Sequence, residues 1–371
     1  MLRKLPIGIL VTKRILCVDD EPGIRQVYEM LPSFLGSDFL VTTTANGDEA
    51  LAQIAAAPYD VIISDLLMPG LSGSELLKKV AQISPSTARV VISGFPDELT
   101  VARCLVVGHR YFTKPFSPVT LMGSVRALCQ ARDVASSDKV RQLVGKIEGL
   151  PTPPDSYVEI LKKFNDPNTA IRSLAECLEH DPAVSVKLLQ AVNSPLFGAA
   201  RRIDSIEESI QRIGLNVLKA LVLSIHFFNF YQKPGLKFQL QKIWDHSSAV
   251  AHRARQIAHE RSWPAEVCEE SFFAGLLHDL GRVVLSTCPD EDRWALFPEY
   301  DPCHDDVSAC FALSHTIDSE AGAYLLALWG IPDRVVNAVR TFRFSGVISP
   351  DEPCAAAALA LAHELELSAT S

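Results

Sequence analysis

Residues 61–73 read VIISDLLMPGLSG, an apolar run that stops on Asp65 and gives way to a Met-Pro turn and a glycine. Such a run reads as a strand covered on both faces, as in a parallel sheet. Ligands of open parallel sheets gather where the strands end at their carboxyl edge. Asp65 is therefore placed at a site.

Outward from this stretch, strands and helices alternate. Arg14–Val18 is an apolar strand ending in Asp19-Asp20-Glu21, and Pro22 suits the first turn of a helix running to about Leu35, with Pro32 set to end or kink it. A strand over Phe39–Thr44 and a helix over Gly47–Ala57 lead to the Val61–Ser64 strand. Beyond it come a helix Ser72–Gln82, a strand Arg89–Ser93, a helix Asp97–Val107, a strand Arg110–Thr113 and a helix Ser117–Arg132. The pattern predicts an α/β doubly wound, five-stranded parallel sheet over 13–132.

The polar residues at the strand ends then share one edge: Asp19 and Asp20, Asp65, Ser93 and Lys114. Converging carboxylates repel, and Mg²⁺, a hard cation that takes oxygen ligands, relieves this. With Lys114 supplying further positive charge, the set suits phosphoryl transfer onto Asp65. Each residue alone has a plainer reading: Asp19 or Asp20 as a helix cap, Ser93 as a turn, Lys114 as a solvated strand end.

VDDEP, DLLMPGLSG, VVISG and YFTKPF, in this order and close to this spacing, resemble the receiver domain of two-component response regulators over about 120 residues. The resemblance implies Asp65 as phosphoacceptor, Asp20 as a direct Mg²⁺ ligand, Asp19 as a water-mediated one and the Leu67 carbonyl as a third. It also implies Ser93 and Lys114 on the phosphoryl group, Tyr111 as a switch residue, a cis Lys114-Pro115 bond and a sensor histidine kinase as donor. The stretch from Gly108 to Lys114 is one residue shorter than is usual in the family.

Across 371 residues, 48% hydrophobic and 21% charged composition fits two cored domains, and a net charge of −9 disfavours a broad nucleic-acid surface. Nine scattered cysteines, none as CxxC, give neither a disulfide framework nor a zinc site. Without a long apolar run, the chain reads as cytoplasmic, with no membrane insertion.

After a short polar linker, 133–139, the period becomes helical throughout, giving an all-α domain over 140–371. Helices are predicted over 155–164, 170–179, 182–191, 205–210, 215–228, 243–260, 266–285, 319–329, 332–341 and 353–365. The phrases LPTPPDSYVEILKKFNDP, HDPAVSVKLLQAVNSPLFG, FAGLLHDLGRVVL and AGAYLLALWGIP resemble the HDOD family, the HD-related output domain. Metal-dependent HD phosphohydrolases hold their cations with a His, a His-Asp pair and a further Asp. The corresponding residues here are His246, His278, Asp279 and Asp318, with Asp318 where the family often has histidine and Thr341-Phe342-Arg343 where paired histidines often stand.

Those losses favour a vestigial site in which His246 pairs with Asp279 to tie two helices, with no second-domain metal expected. His315, Cys303-His304-Asp305-Asp306, Arg201-Arg202, and the aromatic residues Trp244, Phe227, Phe228 and Phe230 read as surface, loop or core positions. The resulting expectation is a response regulator that is not an enzyme beyond its own phosphotransfer. Its HDOD domain would signal by binding proteins or ligands, with cyclic-dinucleotide enzymes as partners suggested by the resemblance alone. A homodimer is kept among its assemblies, and DNA is disfavoured as a partner. The alternative is a receiver-gated metal phosphohydrolase or cyclic-nucleotide phosphodiesterase.

Overall fold

The computed structural model describes residues 12–35, 38–94, 108–132, 137–146, 169–179, 182–193, 202–212, 236–287, 315–343 and 353–370, with a few single positions between. The expectations at 97–107, 155–164, 215–228 and 303–306, and those on Ser194, Pro195, Arg201 and Phe230, lie outside these residues, as do the side chains of Tyr111, Trp244 and His315.

The amino-terminal elements are β1 (Lys13–Val18), α1 (Pro22–Glu29), α2 (Leu31–Leu35), β2 (Phe39–Thr44), α3 (Gly47–Ala56), β3 (Val61–Asp65), α4 (Gly73–Ile83), β4 (Ala88–Ser93), β5 (Arg110–Thr113) and α5 (Pro118–Ala131). All strand pairs are parallel, in the order β2-β1-β3-β4-β5. The order reverses between β1 and β3, which makes the crevice at their carboxyl ends the ligand position of the sheet. Every residue of β3 and β4 is buried, because helices cover both faces. Each buried Ile or Val there contributes about 2 kcal/mol. Sliding β3 by one residue would turn each of its side chains to the opposite face and take Asp65 away from the strand-end crevice, so the apolar run and its acidic end fix the register together.

The turn after Asp65 is held as tightly as the strand. Ser72 and Glu75 form a reciprocal capping box at the start of α4, with the Ser72 N–H donating to Glu75 Oε2 at 3.2 Å. Gly73 lies so close to the Asp65 carbonyl that a Cβ would collide with it. The glycine lets the helix begin directly behind the acid.

Pro32 has the effect its chemistry requires. The helix expected to reach Leu35 ends at Glu29, and α2 begins two residues later with Pro32 in its first turn. Proline has no N–H to bond the carbonyl four residues back, and its ring collides with that carbonyl.

The carboxyl-terminal half comprises α6 (Asp138–Gly145), α7 (Ile171–Glu179), α8 (Pro182–Val192), α9 (Leu236–Glu260), α10 (Ala265–Leu277), α11 (Leu280–Thr287), α12 (His315–Trp329), α13 (Asp333–Thr341) and α14 (Ala355–Thr370). Where one helix was expected over 266–285, the chain breaks into α10 and α11 at His278-Asp279. Two close crossings fix this break: a Cβ on Gly275 would sit 2.5 Å from the Ala251 Cα in α9, and one on Gly281 would collide with the Asp318 carbonyl in α12.

The stretch joining the halves is seated. The Ala135 side chain is buried, and the Ser137 N–H donates to Glu320 Oε1 at 3.2 Å.

Candidate functional site

At the sheet edge, Lys114 Nζ lies among three carboxylates, 2.5 Å from Asp65 Oδ2, 2.8 Å from Glu21 Oε1 and 3.0 Å from Asp19 Oδ2. The Lys114-Pro115 bond that leads away from it is cis. Burial opposes the lysine charge, but the hydrogen bonds to Asp65, Glu21 and Asp19 outweigh it and raise the ammonium above its usual range. Burial raises the Asp19 carboxyl against the lowering effect of Lys114 and of the Glu21 N–H, which donates to Asp19 Oδ1 at 3.0 Å.

Asp65 is buried apart from its outer edge, and its Oδ1 accepts the Leu67 N–H at 3.2 Å. Ser93, at the end of β4, holds a buried hydroxyl with no hydrogen-bond partner among the described residues. A buried polar atom left without a partner is costly and marks a position that a ligand oxygen would satisfy.

Oxygens of Asp19, Glu21 and Asp65 lie within 4.8 Å of one another. This all-oxygen set fits a hard cation of the Mg²⁺ kind. Asp20, expected as the direct ligand, is outside the set, and Glu21 takes part where no role was expected for it. The Asp20 backbone carbonyl accepts from Arg25 Nη1 at 2.8 Å. Glu21 follows two other acids at a strand end, so the sequence held no signal to separate the three.

The second cluster lies between helices. Asp279 is fully buried at the α10–α11 break, with Arg282 Nη1 2.6 Å from Oδ2 and Arg343 Nη2 3.0 Å from Oδ1. Arg343 Nη1 also reaches Asp318 Oδ2 at 3.5 Å. The expected His246–Asp279 pair is thus replaced by an arginine clamp, and the residue read as a lost histidine position, Arg343, is the one that closes it. Burial would raise the Asp279 carboxyl, but His278, Arg282 and Arg343 around it hold it well below the carboxylate range.

His246 turns instead toward two other imidazoles. Its ring centroid lies 5.3 Å from that of His278 and 5.5 Å from that of His363, a residue of α14 that the sequence reading did not single out. Burial lowers all three: His278 to about 4, His363 to about 3, and His246 in the same direction. His363 lies in an Ala-rich helix with no motif around it, and only the tertiary contact reveals it.

The two halves also meet directly beside Tyr111. Arg110, next to Tyr111 in β5, donates from Nη2 to the Ala327 carbonyl of α12 at 3.0 Å, and Gln190 Nε2 of α8 donates to the His109 carbonyl at 3.3 Å. Arg89, buried in β4, donates to the Gly145 carbonyl at 3.0 Å.

Comparison with known proteins agrees with both halves. The response regulator receiver domain family matches residues 15–126, and the HDOD domain family matches residues 150–343. An uncharacterized protein of Treponema pallidum is 25% identical over 207 residues, covering 53% of this chain and 38% of its own length. The hydrogenase transcriptional regulatory protein HoxA of Cupriavidus necator is 38% identical over 120 residues, 32% of this chain and 24% of its own. The chain therefore spans well under half the length of these two relatives. The solved MmoQ response regulator of Methylococcus capsulatus shares the fold at 23% identity, with a TM-score of 0.50 over 60% of this chain and 88% of the other. Among the described residues, no helix is long and apolar enough to cross a membrane.

Proposed function

The chain belongs to the HDOD family, with a response regulator receiver domain ahead of the HDOD domain, and from that premise we propose that Asp65 accepts a phosphoryl group from a histidine kinase and that the helical domain reads out the change by binding. The observation that carries this reading is Lys114 bridging Asp65 and Asp19 beside the unpartnered Ser93 hydroxyl. Lys114 orients the Asp65 carboxylate and meets the charge that develops on a transferred phosphoryl group. Ser93 donates its hydroxyl to a phosphoryl oxygen. Mg²⁺ held by Asp19, Glu21 and Asp65 would neutralise the remaining phosphoryl charge.

A phosphate on Asp65 adds roughly two negative charges. That redraws the balance around Lys114 and pulls on Ser93, whose strand lies beside β5. Arg110 and Gln190 then give the change a path to α12 and α8. For the helical domain, a binding role is supported by Asp279, whose two oxygens each accept from an arginine, so that two fixed positive charges stand where a catalytic cation would have to bind.

Incubation of the full chain with a small-molecule phosphodonor and Mg²⁺ tests the receiver half. Acid-stable, base-labile phosphate is expected on the wild type. Labelling of Asp65→Asn to the same extent would refute the assignment. Affinity capture with and without a phosphoryl mimic, assayed against signalling proteins that include cyclic-dinucleotide enzymes, tests the binding half.

A further inference from the structure

Three imidazoles from separate helices meet in the helical domain. His246 of α9, His278 at the end of α10 and His363 of α14 form a closed triangle, with centroids 5.3, 5.5 and 5.2 Å apart and ring planes at 65° to 76°. One nitrogen from each lies within 4.8 Å of the other two. Phe342 covers the triangle, its ring 5.4 Å from His278 and 5.2 Å from His363.

The tautomer of His278 is set by its surroundings. Its Nδ1 lies 2.6 Å from the Gly275 carbonyl, which can only accept, so Nδ1 carries the proton and Nε2 presents a bare lone pair. That Nε2 is fully buried and has no hydrogen-bond partner. Asp279 Oδ1, 3.5 Å away, is another acceptor. That oxygen is already bonded to Arg343 Nη2 at 3.0 Å, so the Nε2 lone pair is left facing the two other imidazoles with nothing among the described residues to accept it. A histidine whose far nitrogen is pinned to a backbone carbonyl is also the arrangement that orients metal-binding imidazoles.

We propose that His246, His278 and His363 bind one borderline divalent transition cation, zinc being the representative, and that this cation ties α14 to α9 and α10. Imidazole donors select zinc, cobalt, nickel or copper over magnesium and calcium. The carboxylates that would favour a hard cation, Asp279 and Asp318, are committed to Arg282 and Arg343. At a Zn–N distance of about 2.0–2.1 Å, the three nitrogens draw to about 3.4 Å apart, a shift that ring rotation of the half-buried His246 and His363 supplies. His246 and His278 lie within the residues matched to the HDOD family, and His363, on the carboxyl-terminal helix, lies beyond them. It stands apart from Asp65 and does not depend on the proposed phosphorylation.

The test uses the untagged full chain, stripped with chelator and returned to excess Mg²⁺ so that the acidic cluster of the receiver is occupied. Titration with Co²⁺ is expected to give visible absorption bands that saturate at one equivalent and are displaced by Zn²⁺. His363→Gln and His246→Gln, chosen because both side chains are partly exposed, are expected to weaken this binding by more than about 100-fold while their melting in the absence of metal stays near wild type. His363→Cys restores a ligand and is expected to add a thiolate-to-cobalt band in the near ultraviolet. No Co²⁺ bands in the wild-type chain would overturn the proposal. So would bands that survive both glutamine variants, or a cysteine variant that binds cobalt without the thiolate band.

Discussion

The two acidic clusters of this protein are neutralised in different ways. At the sheet edge, one lysine reaches three carboxylates from a flexible stem, and Glu21 is 60% exposed, so water reaches the cluster. Between the helices, two arginines hold Asp279 with no solvent access to it. An ammonium is a compact point charge that can give way to another cation or follow a new anion, whereas two planar guanidiniums, one on each carboxylate oxygen, hold fixed positive charge against that carboxylate. The first arrangement suits a site that changes its charge, and the second suits a fixed joint. A buried ion pair of that kind costs desolvation to assemble and is expensive to break from one side.

The largest effect expected from this contrast is at Asp65: Asp65→Asn abolishes phosphorylation by a small-molecule donor, read as loss of base-labile phosphate. Lys114→Met is expected to slow the same reaction by about 100-fold, measured as the labelling rate at saturating Mg²⁺, because one preorganised positive donor is removed. In the fixed cluster, Arg343→Met leaves Asp279 buried with Arg282 alone. A loss of about 2–3 kcal/mol is expected in denaturant melts of the helical domain, and a loss within error would mean that the clamp is not structural.

Arg110→Ala tests whether the clusters communicate. Phosphorylation of this variant is expected to proceed as in wild type, while the phosphorylation-dependent change in amide exchange over α12 shrinks.

The smallest expected effect concerns a further buried acid, Glu270, whose partner Arg334 is 69% exposed at 3.4 Å. Burial raises this carboxyl despite Arg334, so the folded chain holds its proton more strongly than the unfolded chain does. Its contribution to stability is present below the unfolded value, near pH 4.3, and is lost as pH rises through the folded value. Glu270→Gln removes that loss, so its melting temperature relative to wild type is expected to climb from pH 4.5 to pH 8. A constant difference across that range would show that Glu270 is as well compensated as Asp279.

Legibility differed between the halves for a physical reason. In the receiver, each strand places its next residue at one shared edge, so Asp65, Ser93 and Lys114 could be collected in order along the chain. That Glu21 rather than Asp20 lies against Lys114 was not legible, because three acids in a row look alike until β1 ends and the backbone turns. In the helical half, only His278 and Asp279 are adjacent in sequence. The partners of that pair, Arg343 and His363, come from 64 and 85 residues onward in the numbering, brought in by the packing of α13 and α14 against α10.

The sequence by itself determined the alternating sheet, the acidic crevice, the break at Pro32 and the helical character of the described residues beyond 140, because periodicity, strand ends and proline act within a few residues. Only the tertiary structure decided that Asp279 belongs to arginines and His246 to two other histidines. Those choices depend on which helices touch, and helix contacts are set by close-packed shape across the whole domain, which local pattern does not encode.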